Sequence, residues 1–284
     1  MDHPWCSGPK DTVGGAGAAR LNESRIGGVV TDAFAVRASA PGSVARASAS
    51  TLHAQHGVGI VVGLDGDVIV AEPGRAVVRA RVVAIPPDVW HAVRGDSQGI
   101  GFLYDPERSP HVAGYARARG RAFPVEDRLA ARFVAAARLH RGSLDRSDVL
   151  EGLAREGSRW IADVSPPRRP LDRRVARLLD ALPAPDFDRR VAVAESGISA
   201  AHLQALFVRD VGLPIRSFRL WRRLLVAVSA LARADATTAA HAAGFADLAH
   251  FSRTCRRMLG FTPTVLREGE PRDAAPSRSS LRTG

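Results

Sequence analysis

Part of this chain repeats at a spacing of 48 residues, and that repeat constrains the fold more than any other feature. His202-Leu203 recurs as His250-Phe251, Phe207 as Cys255, Arg209 as Arg257 and Gly212 as Gly260. Each copy opens with a glycine and an apolar residue, Gly197-Ile198 and Gly244-Phe245. Each glycine follows a short helical segment, Asp188–Ser196 and Asp235–Ala243. This is the layout of a helix-turn-helix, in which glycine permits the tight turn between two crossed helices.

The second helix of each copy has an inside and an outside. In the first, Leu203, Leu206 and Phe207 fall at i, i+3, i+4 and face a core, while Ala201, Gln204, Ala205, Val208 and Arg209 face away or flank. In the second, Phe251 and Cys255 face in together with Leu248 and Met258, and Ala249, Ser252, Arg253, Arg256 and Arg257 face away or flank. Ser199 is a good N-cap; Ala246 at the matching place is a poor one, and Asp247 favours that N-terminus instead. Pro214 to Arg233 joins the copies as a helix with the apolar stripe Ile215, Phe218, Leu224, Leu225, Val228 and Leu231, and with Arg216, Arg219, Arg222 and Arg223 in its first half. Twenty helical residues span about 30 Å, near the roughly 34–36 Å between successive major-groove faces.

Charge follows the same division. The chain has 284 residues and a formal net charge of +11. Residues 166–267 hold seventeen basic and eight acidic side chains, and residues 1–100 hold nine of each. A basic domain beside a neutral one points to a polyanion-binding module attached to something else. The competing account is a solvated face in a chain whose only lysine is Lys10.

The stretch from about Pro170 to Arg267 resembles the DNA-binding domain of AraC/XylS transcription regulators. The matching residues are Gly197, Ser199, Leu203, Phe207, Gly212 and Arg223-Leu224-x-x-Ala227, then Gly244-Phe245-x-Asp247, Phe251-Ser252-Arg253, Gly260-x-x-Pro263 and Leu266-Arg267. Cys255, Val193, Ala236 and Ala239 depart from the family pattern. The resemblance implies sequence-specific binding to double-stranded DNA and control of transcription. Gln204 and Arg253 are the expected base readers, because arginine reaches guanine and glutamine reaches adenine through two hydrogen bonds. Ala201 and Ala205 suit thymine methyl groups, and Ser199, Ala249 and Ser252 complete the DNA face. Arg209, Arg216, Arg256 and Arg257 suit phosphates. His202 and His250 are read as packing residues on the helix flanks.

The N-terminal half is rich in short apolar runs broken by Gly and Pro, as in a sandwich or barrel. Residues 57–64 and 67–70 flank an Asp65-Gly66 turn, a hairpin signal. Arg75 to Ile85 and Ile100 to Tyr104 read as further strands, and 124–140 and 144–160 as amphipathic helices. His53-Ala54-Gln55-His56 and Pro86-Pro87-Asp88-Val89-Trp90-His91 resemble segments of a cupin-like sensor domain. Metal cupins use a His-x-His pair, a glutamate and a later histidine. Gln55 stands in place of the second histidine here, so no metal or other cofactor is expected. His53, His56, Trp90 and His91 are instead expected around a small-molecule effector. On one strand His53 and Gln55 share a face and His56 points to the other.

The expected fold is α+β in two domains: a cupin-like β-barrel followed by helices, then an all-α domain with two helix-turn-helix units joined by a linker helix. The boundaries are a flexible tail at 1–25, a sensor and dimerisation domain at 26–164, a linker at 165–170, a DNA-binding domain at 171–267 and a disordered tail at 268–284. A homodimer through the 124–161 helices is expected, with RNA polymerase as a further partner. Two cysteines, Cys6 and Cys255, make no disulfide framework, and no apolar run reaches the roughly 18 residues of a membrane span. A cytoplasmic protein without a membrane partner is expected. The rival readings are a metal-dependent cupin enzyme with an appended helical domain, and a redox switch at Cys255.

Overall fold

The computed structural model describes residues 24–29, 33–38, 50–95, 99–144, 147–165, 169–182, 187–231 and 233–268. Apart from residues 24, 25 and 268, the tails expected at 1–25 and 268–284 lie outside them, as do residues 166–168 of the expected linker.

The N-terminal half opens with β1 (Ser24–Val29), β2 (Ala33–Ala38), β3 (Val58–Gly63), β4 (Val68–Ala71), β5 (Val78–Ala80), β6 (Val82–Ile85), β7 (Ala92–Gly95) and β8 (Gly99–Tyr104). It continues with α1 (Pro110–Arg117), β9 (Phe123–Pro124), α2 (Asp127–Leu139), a 3₁₀ turn at Arg141–Ser143, and α3 (Ser147–Ala162). The strands form two antiparallel sheets, β1-β2-β8-β3-β6-β9 and β5-β4-β7. One face of the large sheet, with Val58, Ile60, Val62, Phe102 and Tyr104, packs on Leu129 and Phe133 of α2 and Leu150 and Leu153 of α3. The other face, with Val83 and Ile85, packs on Val68 and Val70 of the small sheet. Alternate residues thus feed two separate cores.

The Asp65-Gly66 hairpin is not formed as expected. The turn carries the chain from one sheet to the other, because β3 already has β8 on one edge and β6 on the other, while β4 lies between β5 and β7. The run from Arg75 to Ile85 changes sheets as well. It breaks at Arg81 into β5 and β6, and the Arg81 guanidinium donates to the Leu64 carbonyl at 2.7 Å.

The C-terminal half is helical: α4 (Arg173–Ala181), α5 (Arg189–Ser196), α6 (Ala200–Val211), α7 (Ile215–Ala230), α8 (Ala236–Ala242), α9 (Leu248–Leu259) and α10 (Pro263–Glu268). One core joins both repeats, with Phe207, Phe218, Trp221, Leu224, Phe251 and Cys255 at its centre. Leu103 of β8 belongs to this core too, so the two halves pack directly on each other. Three expectations change. Trp221, i+3 from Phe218, belongs to the α7 stripe. The linker helix has 16 residues and spans about 24 Å, so the bodies of the two units must supply the rest of a groove repeat. Leu248 is 39 % exposed because α9 starts there, with Asp247 as its N-cap. Among the described residues no single helix is long and apolar enough to cross a membrane.

Candidate functional site

Each helix-turn-helix unit is built by its caps. In the first, Gly197 ends α5 at φ +68°, and Ser199 is extended so that its Oγ accepts the His202 N–H at 3.2 Å. Gly212 then ends α6 at φ +97°. In the second, Gly244 makes the turn at φ +76°, an Asp247 carboxylate oxygen accepts the His250 N–H at 2.6 Å, and Gly260 ends α9 at φ +78°. These left-handed positions favour glycine, and the caps satisfy amide groups that a helix N-terminus leaves unpaired.

The side chains expected at DNA lie on the outer surface. Ser199, Ala201, Ala205, Arg209, Arg216, Ala249, Arg253, Arg256 and Arg257 are exposed, and Gln204 and Ser252 are half-buried. Arg209 is engaged already. Its Nε donates to Asp210 at 2.7 Å, and the other Asp210 oxygen accepts the Asp172 N–H at 2.7 Å. His250 is half-buried, its ring edge-on to Phe245 with centroids 5.2 Å apart, and His202 is exposed. Cys255 is buried in the core, and burial pushes its thiol pKa up, away from the thiolate.

The N-terminal half grips both units at the opposite end, the C-termini of α6 and α9. At α6 the Arg117 guanidinium donates to the Val211 carbonyl at 2.7 Å. At α9 the Ala54 N–H donates to the Arg257 carbonyl, and the Thr51 N–H and hydroxyl both donate to the Gly260 carbonyl, at 2.9–3.1 Å. Helix C-termini present unpaired carbonyls and a partial negative charge, so donors are matched to both places.

Beside the first contact lies a buried charge cluster that sequence reasoning missed. His56 sits between Asp88 and Glu107, with each ring nitrogen 3.2 Å from a carboxylate oxygen. Burial alone would keep the imidazole neutral, but Glu107 and Asp88 outweigh it and push its pKa up to about 10. Asp88 holds a left-handed backbone, φ 63°, and its N–H donates to the Gln55 carbonyl. From α7, Phe218 and Trp221 place their rings edge-on to His56 at 5.7 and 6.4 Å, and Arg222 donates to Asp105 at 2.9 Å. Burial and the Glu107 charge raise the Asp105 pKa to about 6.

On the other face of the same segment, His53 and His91 pair through a β-bridge, with ring centroids 4.2 Å apart. With Gln55 they border a cavity of about 120 Å³ between the sheets. The expected division of His53 and Gln55 from His56 is therefore the arrangement found. Two corrections follow. His56 and Trp90 do not line this cavity, since His56 is drawn to the carboxylates on the opposite face and Trp90 lies half-buried outside the lining. The three imidazoles do not converge. Leu259, Phe261 and Leu266, from the second helix-turn-helix unit, complete the wall. The i+3 spacing from Phe218 could have found Trp221. Nothing local marks the cluster or the shared wall, whose members come from distant parts of the chain.

Residues 192–269 match the protein family described as a helix-turn-helix domain. The chain thus carries a helix-turn-helix domain over its last third. No curated protein matches the chain. A crystal structure of a ToxT variant from Vibrio cholerae without ligand is similar to it at 11 % identity, over 84 % of this chain and 97 % of that one, with a TM-score of 0.55. ToxT bound to (E)-4-(8-methylnaphthalen-1-yl)but-3-enoic acid is similar at 12 % identity, over 86 % and 97 %, with a TM-score of 0.51. The AraC-like transcriptional activator CuxR is similar at 13 % identity, over 67 % and 76 %, with a TM-score of 0.35. The ToxT likeness extends the comparison past the helix-turn-helix domain to the whole two-part fold, a sheet region with helices followed by the double helix-turn-helix.

Proposed function

We propose that this protein is a transcription regulator that reads duplex DNA with the N-terminal halves of α6 and α9 and responds to a small molecule held in the inter-domain cavity. The observation that carries the reading is the pair of capped helix-turn-helix units, joined by one helix, whose outer faces carry Gln204 on one side and Arg253, Arg256 and Arg257 on the other. Gln204 and Arg253 read bases, and Ser199, Ala201, Ala205, Ala249 and Ser252 approach them. Arg209, Arg216, Arg256 and Arg257 hold phosphates, with Arg209 exchanging its Asp210 contact for one. Residues 26–164 act as the sensor, 165–170 as linker and 171–267 as the DNA-binding domain. A ToxT structure bound to an aryl alkenoic acid supports small-molecule binding in this fold. The function needs no covalent step. Two copies associate through α2 and α3 in the cytoplasm, with RNA polymerase as a further partner.

The test is selection of bound sequences from a random duplex pool by the full-length protein, with light scattering on the selected complex to count copies. Arg253→Ala should lower discrimination at one guanine by about 1–3 kcal/mol, and Gln204→Ala by less. No selected sequence would refute the regulator. A larger loss from Gln204→Ala would reverse the ranking of the two units, and one copy per complex would refute the dimer.

A further inference from the structure

The inter-domain cavity has walls that specify what enters it. Among the described residues its lining contains no lysine, arginine, aspartate or glutamate; apart from Ser50, Gln55 and the two histidines, these are apolar or glycine. Its volume of about 120 Å³ is close to the roughly 150 Å³ of an apolar cavity that accepts benzene. That is room for about one aromatic ring.

The two imidazoles are held in a defined state. The Nδ1 of His53 lies 2.8 Å from the Thr51 carbonyl, and the Nδ1 of His91 lies 2.9 Å from the Val89 carbonyl. A carbonyl oxygen only accepts, so each Nδ1 carries the hydrogen and each Nε2 of the neutral ring is left as an acceptor. Burial opposes the charged form of both rings. It lowers the His53 pKa to about 4, and for His91 the neighbouring His53 adds to the lowering. The Gln55 side chain lines the same cavity as His53. The Nε2 of His91 makes no hydrogen bond among the described residues. A ligand donor in the cavity can complete this acceptor. Among the described residues a carboxylate in the same place would meet lone pairs and no cation while losing its hydration. His56 shows the contrast, for it keeps its proton only with two carboxylates beside it.

We propose that this cavity binds a small uncharged aromatic molecule carrying a hydroxyl, which donates to His91 Nε2, and that it rejects the matching carboxylate. The proposal deepens the effector reading given above and rests on it for its regulatory meaning. Because Leu259, Phe261 and Leu266 complete the wall, the occupant touches the second helix-turn-helix unit directly.

The test is calorimetric titration of the full-length protein with three probes of one shape: p-cresol, toluene and 4-methylbenzoate. p-Cresol should bind at least tenfold more tightly than toluene, and 4-methylbenzoate should give no heat at ten times the p-cresol concentration. His91→Phe should bring p-cresol down to the level of toluene; should that variant fail to fold, the three probes on the native protein decide alone. Equal or tighter binding of 4-methylbenzoate, or no advantage of p-cresol over toluene, would overturn the proposal. Sequence selection on duplex DNA, run in parallel, separates the two readings. Selected DNA with failed probes refutes the ligand class alone, and p-cresol binding without selected DNA upholds the cavity while refuting the regulator.

Discussion

The N-terminal half holds the two helix-turn-helix units at the same place by different means. At the first unit the contact is ionic: Arg117 caps the end of α6, and His56, Asp88, Glu107, Asp105 and Arg222 cluster against α7. At the second it is neutral: backbone amides of 51–54 cap the end of α9, and uncharged histidines border a shared cavity. An ionic contact responds to pH and salt and is indifferent to a small apolar molecule. A neutral contact around a cavity responds to what fills the cavity. The first unit is thus suited to anchoring and the second to responding, and the second also carries Arg253, Arg256 and Arg257.

The largest expected effect tests whether the second contact is the tighter fit. Gly212 and Gly260 end their helices in the same left-handed conformation, so alanine is strained at both by about 1–2 kcal/mol. A Cβ at Gly212 would meet nothing nearer than 3.4 Å. A Cβ at Gly260 would lie 2.7 Å from His53 Nδ1, 2.8 Å from Ser50 Cβ and 3.0 Å from the Thr51 carbonyl. Overpacking adds about 1–3 kcal/mol. Gly260→Ala should therefore destabilise the protein by about 2–5 kcal/mol in urea denaturation and loosen the docking, while Gly212→Ala stays at about 1–2. Equal losses would mean that the second unit is not pressed against the sensor.

pH should separate the two contacts next. His56 has a folded pKa above its unfolded value, so its stabilisation is full below about 6.5 and is lost as pH rises towards about 10. His53 has a folded pKa below its unfolded value, so its contribution is full above about 6.5 and is lost as pH falls towards about 4. One proton changes stability by at most about 1.4 kcal/mol per pH unit. His56→Gln should flatten the fall from pH 7 to 8.5, and His53→Gln should reduce the fall from pH 6 to 5. Parallel curves for the native protein and both variants would remove the electrostatic difference between the contacts.

How legible these contacts were depends on how local they are. The repeat shows as one fixed offset of 48 residues, its turns and the N-cap at Ser199 follow from spacings within one turn of helix, and the alternation that sets His53 and Gln55 apart from His56 follows from the two-residue period of extended chain. The Asp65-Gly66 turn misled because a hairpin also needs a free strand edge, and β3 has none; that depends on β6 and β8, which are remote in sequence. The charge cluster draws Glu107 and Arg222 from segments more than a hundred residues apart. The cavity wall required Leu266 to meet Val61. Pairing over such separations leaves no periodic trace.

The smallest expected effect concerns the N-terminal ends of α6 and α9. Ser199 and Asp247 cap α6 and α9 through the same bond to the amide three residues on. Serine and aspartate are nearly equivalent as caps, so Ser199→Asp and Asp247→Ser should change stability by only about a few tenths of a kcal/mol. Their charges differ, and both ends point away from the sensor. If both face phosphates, Ser199→Asp weakens DNA binding and Asp247→Ser strengthens it, each by about 0.2–1 kcal/mol, with the difference shrinking at high salt. Filter binding across a salt series measures both. A response at one end only would mean that a single unit engages the duplex, and the contrast drawn from docking would then extend to the DNA: one unit held by the sensor as an anchor, the other free to read.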